Sequence, residues 1–429
     1  MADVQPLRAL HYDLATVGSL DAVCSPPYDV IDPAQRADLE TRSPYNVVRI
    51  DLPEPAEPGG DPYEHAARQL SAWRDAGAVV RDGQPAIWAL TQEYTGPDGT
   101  TRTRNGFLAR VRVEDYGPGR IRPHERTHPG PKEDRLRLTR ATQANLSPIF
   151  SLYGDPTGAA WGALAPHVAN DEAYGEQTDA EGTRNRLWRV ADPDAIAAVH
   201  AALEPAELLI ADGHHRYETA RVYAEEIGGE GEHRYVLMHL VALEDPGLMV
   251  FPTHRLISGL QGDAARQEAL AATLRDCFDI TELASTDDLP PGPAADPRAP
   301  LQLGYLDGHS RTPFRLTLKD QALADRALAD YPEPYRHLDT AIVEGLILTG
   351  PLGLTEDDIS HFNGLGYSRS DAEAVEQVLS GAFDAAFFLP GASVEQIGEI
   401  AAAGVNMPPK STFFVPKVPT GLLFNVLGA

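Results

Sequence analysis

The sequence is poor in cysteine and in basic side chains, and it contains no long apolar run. Cys24 and Cys277 are too far apart in sequence for a local zinc knuckle or a redox pair, which predicts buried thiols. With 63 acidic against 36 basic residues the net charge is −27, the wrong sign for general binding to nucleic acid or to anionic lipid. No stretch approaches about 18 continuous apolar residues, and Met1–Leu20 lacks a signal-peptide pattern. These absences predict a cytoplasmic protein that binds neither nucleic acids nor membranes.

Several familiar motifs are also missing. The sequence has no G-x-G-x-x-G, no Walker-type G-x-x-x-x-G-K-[ST] and no G-x-S-x-G. The string H-E-x-x-H does occur, at His124, Glu125 and His128, but Pro123 and Pro129 flank it. A zinc peptidase needs a helix that carries both histidines on one face, and these prolines leave about one turn. The string therefore predicts a polar loop with His124 and Glu125 as candidate catalytic residues, Glu125 being the general base.

The overall composition is that of a globular α/β protein. The 429 residues are 42% hydrophobic and 23% charged, which predicts two or three domains with ample cores. Helical and strand-like patterns are mixed along the chain. We expect an N-terminal α/β region at 1–115, a core with a phosphate-binding turn at 116–288, and a C-terminal α+β region at 289–429. The proline-rich stretch Leu289–Pro300 is the best candidate for a linker or exposed loop.

Local patterns place several elements around the candidate site. The run NVVRIDL at Asn46–Leu52 predicts a buried strand, and a helix is expected over Tyr63–Ala76. Ala86–Tyr94 and Arg102–Val113 are typical of two strands of a hairpin, joined by a Gly-Pro-Asp-Gly turn. Beyond the polar loop, Lys132–Ala144 predicts a helix.

The segment ADGHHRYETA carries the strongest functional signal. A strand that passes through Gly213 into a helix presents backbone N–H groups to an anion, and phosphate fits such a site. Arg216 can donate two hydrogen bonds to phosphate oxygens, and His214 or His215 can add a hydrogen bond or transfer a proton. Asp212 could hold a magnesium ion against that phosphate. The alternative is an ordinary strand–turn–helix connection whose charged residues pack on neighbouring carboxylates.

Basic residues follow the polar loop as well. Lys132, Arg135 and Arg140 begin or line the next helix, from which Lys132 and Arg135 are candidates for contacts with the same phosphates. Glu133 and Asp134 are close enough in sequence to satisfy these cations instead.

Three weaker signals remain open. The rigid turn Pro26–Val30 suits a ligand wall or a simple structural turn. Arg49 and Asp51 alternate with apolar residues, which favours a salt bridge on one strand face over catalysis. Lys410–Thr412 offers a lysine and two hydroxyls after a proline-stiffened turn, which could cap the site from a second domain.

Five segments together resemble a known family; they are PPYDVI, NVVRIDLP, PHERTHPGPKEDRLRLTRATQANLSPIFSLY, ADGHHRYETA and MPPKSTFFVPK. The chain resembles, over nearly its whole length, a bacterial and archaeal family of uncharacterised proteins placed with the ParB/sulfiredoxin superfamily. The shared signature is a strand, a glycine-containing turn that ends in arginine, and a helix, which Asp212 to Arg216 match.

The resemblance implies a ParB/sulfiredoxin-like core and a nucleotide site. Relatives in that superfamily include partition proteins that bind nucleoside triphosphate, sulfiredoxins that use ATP and free-serine kinases that use ADP. By this analogy Gly213, His214, His215 and Arg216 surround the phosphates. The chain departs from sulfiredoxin, since no cysteine lies beside the turn. It departs from partition proteins in its charge of −27.

The expected activity is a nucleotide-dependent phosphotransferase of the serine-kinase type, with free serine as the best acceptor and ATP or ADP with Mg²⁺ as cofactors. In this scheme Arg216 and Lys132 clamp the phosphates while Glu125 takes the proton of the acceptor hydroxyl. Two alternatives stay open: a phosphatase acting on phosphoserine, and a nucleotide-sensing regulator without catalysis. The expected partners are a small-molecule substrate and a nucleotide, and homodimer formation stays open.

Overall fold

The computed structural model describes residues 2–96, 99–124, 129–292 and 299–428. Two compact units make up the chain: one spans Met1–Leu248 and Pro416–Ala429, the other Met249–Val415. The three regions 1–115, 116–288 and 289–429 have other boundaries and stay a prediction.

Helices and strands are mixed along the described chain, which confirms the predicted α/β class. The α-helices are α1 Leu14–Val17, α2 Leu20–Val23, α3 Pro33–Arg42, α4 Val48–Asp51, α5 Pro62–Asp75, α6 Pro129–Thr142, α7 Ala159–Asn170, α8 Pro193–Leu203, α9 His214–Ile227, α10 Ala264–Cys277, α11 Gln321–Ala327, α12 Glu333–Arg336, α13 Asp339–Val343, α14 Glu356–His361, α15 Asp371–Leu379 and α16 Val394–Ala402. In the described part of the chain, no helix is long and apolar enough to cross a membrane.

The strands form one large mixed sheet, one antiparallel sheet and several short pairs. They are β1 Val4–Gln5, β2 Leu10–Tyr12, β3 Val79–Arg81, β4 Ile87–Thr95, β5 Thr101–Arg112, β6 Ile121–Arg122, β7 Ala144–Asn145, β8 Ile149–Tyr153, β9 Gly175–Thr178, β10 Arg184–Val190, β11 Leu208–Asp212, β12 Tyr235–Ala242, β13 Met249–Phe251, β14 His254–Ile257, β15 Phe278–Glu282, β16 Gln302–Asp307, β17 Pro313–Leu318, β18 Leu365–Ser368, β19 Ala385–Phe388, β20 Phe413–Val415 and β21 Asn425–Val426.

The large sheet of the first unit sets the position of the Gly213 turn. Its strand order is β6-β11-β8-β12-β5-β4-β10-β9, with β1 paired to β5. β11 and β8 are antiparallel, and Asp212 at the end of β11 is level with Phe150 near the start of β8. Because the two strands run in opposite directions, the turn after β11 lies beside the segment that leads into β8.

Helix α9 packs against β8 and β12 of this sheet. α6 packs along α9, and α5 packs along α6. Tyr217 and Ala220 of α9 enter the main core with Ile210 of β11, and the Tyr217 hydroxyl donates to the Glu114 carbonyl at 2.8 Å. These contacts fix α9 against the sheet. The helices predicted over Tyr63–Ala76 and Lys132–Ala144 are confirmed as α5 and α6.

The second unit is built on an antiparallel sheet of strand order β15-β17-β16-β19-β14-β18. Leu256 and Phe388 on this sheet pack with Val378 of α15. β16 and β17 are neighbouring antiparallel strands of this sheet. Leu289, at the start of the proline-rich stretch, is fully buried in the same core, and residues 293–298 lie outside the described ranges.

The strand predicted at Asn46–Leu52 was wrong, because this segment contains the short helix α4. The Asn46 side chain accepts a hydrogen bond from the Val48 N–H at 3.0 Å and donates to the Ala22 carbonyl at 2.9 Å. These bonds start a helical turn. A short apolar run fits a buried helix as well as a buried strand, so its pattern does not separate the two.

Candidate functional site

The turn at Gly213 has the predicted strand–glycine–helix geometry. β11 ends at Asp212, Gly213 takes a left-handed conformation with φ 96°, and α9 begins at His214. A Cβ at Gly213 would lie 2.9 Å from Nε of Arg216, so a larger residue would displace the guanidinium. Gly213, the N-cap residue of α9, has no side chain with which to cap the helix. Its backbone N–H groups therefore present partial positive charge at this turn.

Arg216 and Asp212 form an ion pair across this turn, and Lys417 joins it. Nη2 of Arg216 lies 2.6 Å from Oδ2 of Asp212, and Nζ of Lys417 donates to Oδ1 of the same carboxylate. Nη1 of Arg216 donates to the Ser147 hydroxyl at 2.8 Å and to the Pro148 carbonyl. Burial opposes ionisation of Asp212, but Lys417 and Arg216 outweigh it and hold the pKa of the carboxyl well below its usual range.

The ion pairs bear on the predicted magnesium role of Asp212. Both of its oxygens contact cations. Nowhere in the described ranges do three or more His, Cys, Asp or Glu side chains come together as a metal site. These residues do not fit a protein-held magnesium ion, because Mg²⁺ would have to displace Lys417 or Arg216. Magnesium at Asp212 stays a prediction.

His124 and His214 lie against each other beside the turn. Their ring centroids are 4.7 Å apart. Nδ1 of His124 is 2.7 Å from the Ile210 carbonyl, to which it must donate. Nε2 of His214 accepts from the His124 backbone N–H at 3.3 Å, which assigns a neutral His214 with its proton on Nδ1. Burial and the neighbouring His124 hold the pKa of His214 well below its usual value.

Three other residues predicted from the sequence are His215, Lys132 and Glu125. His215 is half-buried at the start of α9. Lys132 lies 4.0 Å from Glu218, a carboxylate other than the expected Glu133 and Asp134. Glu125 lies outside the described residues, which stop at His124 and resume at Pro129. The catalytic roles predicted for Glu125, His124 and His214 and the phosphate contacts of Lys132 stay predictions.

Arg135 is buried next to Asp51, a partner that the sequence analysis did not assign to it. Nη1 of Arg135 donates to the Asp51 carbonyl at 2.6 Å and lies 3.3 Å from Oδ1. Nη2 of Arg135 lies 2.6 Å from Oδ2 of Asp134, and the Tyr28 ring lies 4.1 Å from its Cζ. Arg49 contacts Glu40 instead, so the expected salt bridge between Arg49 and Asp51 was wrong.

A cavity of about 40 Å³ lies between α6, α9 and the segment before β8. Its polar lining includes Arg135, Arg216, Ser147, Asp51 and Tyr28. A water needs roughly 10–15 Å³ measured in this way, so the cavity holds about three water-sized groups. The structure thus brings Arg135 and Arg216 together at one small polar cavity.

The carboxylate of Asp51 is buried at this cavity and only partly hydrogen-bonded. It is 4% exposed, and its Oδ2 atom has no hydrogen-bond partner in the described part of the chain. Burial raises the pKa of Asp51. Arg135 and Arg216 lower this pKa, but by a smaller amount, so that the pKa is raised overall. A buried carboxylate oxygen without a partner costs free energy, which a ligand with a donor group would recover.

Sequence reasoning missed Asp51, Lys417 and Ser147 as members of the site. Each stands in a segment that was quoted for the family resemblance, but no spacing rule joins them because they are distant in sequence. Lys410–Thr412, the tail segment singled out instead, belongs to the second unit. There the Ser411 hydroxyl donates to the Pro408 carbonyl at 2.7 Å.

The fold and site define a mixed α/β protein with an arginine-bearing glycine turn. The chain belongs to the family described as "Protein of unknown function (DUF1015)", whose model matches residues 4–341. No curated protein matches the chain.

Solved structures similar to this chain include a conserved hypothetical protein from Pyrococcus furiosus, at 13% identity over 73% of this chain and 93% of that chain, with TM-score 0.36. A free serine kinase in complex with AMP is 13% identical over 73% of this chain and 92% of that chain, with TM-score 0.36. A C-terminally truncated SbnI from Staphylococcus aureus is 13% identical over 73% of this chain and 85% of that chain, with TM-score 0.35.

Proposed function

We propose that this protein is a nucleotide-dependent phosphotransferase that acts on a small hydroxylated metabolite, with free serine as the first acceptor to test. The observation that carries the proposal is the juxtaposition of the uncapped start of α9 with the cavity that Arg135 and Arg216 line. Both features attract anionic oxygens, and Arg216 belongs to both. The nucleotide is ATP or ADP, and the family core is ParB/sulfiredoxin-like.

The phosphates would lie at the Gly213 turn. There the first N–H groups of α9 offer partial positive charge. A guanidinium has five N–H donors, and the bonds of Arg216 to Ser147, Pro148 and Asp212 use three of them. The others can reach a phosphate oxygen. Asp212 and Ser147 thus act as positioning residues that orient Arg216.

The chemical step transfers the terminal phosphoryl group. The acceptor oxygen forms a bond to the terminal phosphorus while the bond between that phosphorus and the bridging oxygen breaks. The nucleotide leaves one phosphate shorter, and the hydroxyl proton passes to a base, for which Glu125 is the candidate. Electrostatic stabilisation by Arg216 and the helix start lowers the barrier. No step requires a metal site built by the protein.

The test is incubation of the full chain with serine and either ATP or ADP, with and without added Mg²⁺, followed by mass spectrometry for phosphoserine. Phosphoserine with matching loss of nucleotide supports the proposal. Nucleotide binding without turnover supports the sensing regulator, and release of inorganic phosphate from phosphoserine without nucleotide supports the phosphatase. Either of these two results overturns the proposal that the protein is a kinase.

Arg216→Ala tests the phosphate site directly. We expect nucleotide binding to weaken by about 1.5–3 kcal/mol because a charge-assisted hydrogen bond is lost. Arg221→Ala is the matched control, since Arg221 is on the same helix but pairs with Asp115 and does not line the cavity. Calorimetry gives both affinities. Unchanged affinity in a folded Arg216→Ala variant contradicts the assigned role.

A further inference from the structure

In the lining of the cavity between α6 and α9, positively charged side chains outnumber negatively charged ones. Two guanidiniums line it, those of Arg135 and Arg216, and one carboxylate, that of Asp51. The Arg216 guanidinium faces Asp212 outside the cavity lining, and Arg135 faces Asp134 in the same way. Among the residues that the structure describes, none forms a hydrogen bond with Oδ2 of Asp51.

This distribution defines the ligand that would complete the cavity. An anion alone would satisfy the arginines but would lie beside the unpaired carboxylate oxygen, where like charges repel. A cation alone would satisfy Asp51 but would lie between two guanidiniums. A ligand that carries an ammonium group and a carboxylate on the same carbon would pair with Asp51 and with the two arginines. The cavity's room for about three water-sized groups suits such a head group rather than a nucleotide base.

We propose that this cavity binds the zwitterionic head of an α-amino acid, with the ammonium group on Oδ2 of Asp51 and the carboxylate toward Arg135 and Arg216. Asp51 is then a specificity-determining residue for the acceptor. The inference rests on the proposed function, because it assigns the acceptor's charged head to the cavity beside the phosphate turn.

Position in the fold supports this role for Asp51. It ends the short helix α4, and its backbone carbonyl accepts a hydrogen bond from Arg135 at 2.6 Å. The main chain therefore holds Arg135 whether or not the Asp51 side chain is charged. The Asp51 carboxylate is thus left with an oxygen for a ligand.

The experiment compares three ligands on the full chain by calorimetry: L-serine, L-glycerate and ethanolamine. Glycerate has a hydroxyl in place of the ammonium group, and ethanolamine lacks the carboxylate. We expect serine to bind wild-type protein at least about tenfold more tightly than either, because each analogue leaves one charge of the cavity unpaired. This ratio of affinities is measured on the wild-type protein alone. Undetectable serine binding, or equal affinity for serine and glycerate, overturns the proposal.

Asp51→Asn keeps the shape of the side chain and removes its charge. We expect it to weaken serine binding about tenfold or more and to leave glycerate binding within about twofold. Asp134→Asn is the matched control: it also removes a carboxylate from Arg135, but Asp134 does not line the cavity. It should leave serine binding within about twofold. Equal losses of serine and glycerate in Asp51→Asn contradict the ammonium contact.

Nucleotide binding and turnover separate this inference from the proposed function. If serine binds with the expected pattern but phosphoserine never forms, the phosphotransferase fails and the amino-acid site stands. If phosphoserine forms and Asp51→Asn leaves the KM for serine unchanged, the site assignment fails and the phosphotransferase stands.

Discussion

Asp212, which is partly buried, and Asp51, which is buried, are carboxylates of the first unit that lie beside arginines and have opposite pKa shifts. Asp212 contacts two cations, Arg216 and Lys417, and they hold its pKa well below the usual value despite burial. The carboxylate of Asp51 contacts Arg135 through its Oδ1 atom. Burial outweighs that contact and raises its pKa.

The comparison separates a structural charge from one that is available to a ligand. A carboxylate with two cations is fully compensated, so it orients its partners and gains little from another ligand. A carboxylate with an unpaired buried oxygen is destabilising until something donates to it. Asp212 therefore belongs to the architecture of the turn, whereas Asp51 keeps an oxygen available for the ligand proposed above.

Asp339, in the second unit, extends the series to a carboxylate with no cation. It forms no ion pair within the described ranges, and burial alone raises its pKa to about 7. Asp212, Asp51 and Asp339 thus have two, one and no cationic partners, and the direction of each pKa shift follows that order.

The largest effect expected from this comparison is on stability. Asp212→Asn should lower the free energy of unfolding by about 3 kcal/mol at pH 7, because two cations lose their shared counter-charge. Asp51→Asn should change it by no more than about 1 kcal/mol, because the Asp51 carbonyl still holds Arg135. Urea unfolding followed by circular dichroism measures both values. Equal destabilisation by the two variants would remove the distinction drawn above.

The second effect concerns pH and Asp339. A carboxyl whose pKa is raised in the folded state adds stability below its unfolded value near 4, and this contribution is lost as the pH rises through about 7. Between pH 5 and pH 8, wild-type protein should lose about 2 kcal/mol relative to Asp339→Asn. Thermal unfolding at both pH values tests this, with exposed Asp330→Asn as the control. A pH-independent difference would show that Asp339 is not protonated at pH 5.

The smallest effect concerns the turn that positions Arg216. Gly213→Ala should destabilise by about 1–2 kcal/mol because of the left-handed backbone, and its Cβ, 2.9 Å from Nε of Arg216, would displace the guanidinium. Gly158→Ala at the start of α7 is the control, since Gly158 has φ 66° and no atom within 4 Å of a Cβ. Nucleotide affinity should fall only in Gly213→Ala. Identical behaviour of the two variants would mean that contact with Arg216 has no effect.

Local patterns predicted much of the fold near the site. The strand, glycine turn and helix around Gly213, the helices α5 and α6 and the hairpin of β4 and β5 are confirmed, because each depends on neighbours in sequence. Asn46–Leu52 was mispredicted because its short apolar run gives no period, and a side-chain hydrogen bond of Asn46 decides for the helix.

The sequence by itself determined the chain's acidity, its mixed α/β class and the conformation of the Gly213 turn, since composition and short-range sterics act without tertiary contacts. Only the tertiary structure decided which cation meets which carboxylate: Lys417 meets Asp212 across 205 positions of chain, and Arg135 meets Asp51 across 84. Ion pairing in a folded protein depends on distance in space and on loss of water, and neither is encoded in the spacing of residues along the chain.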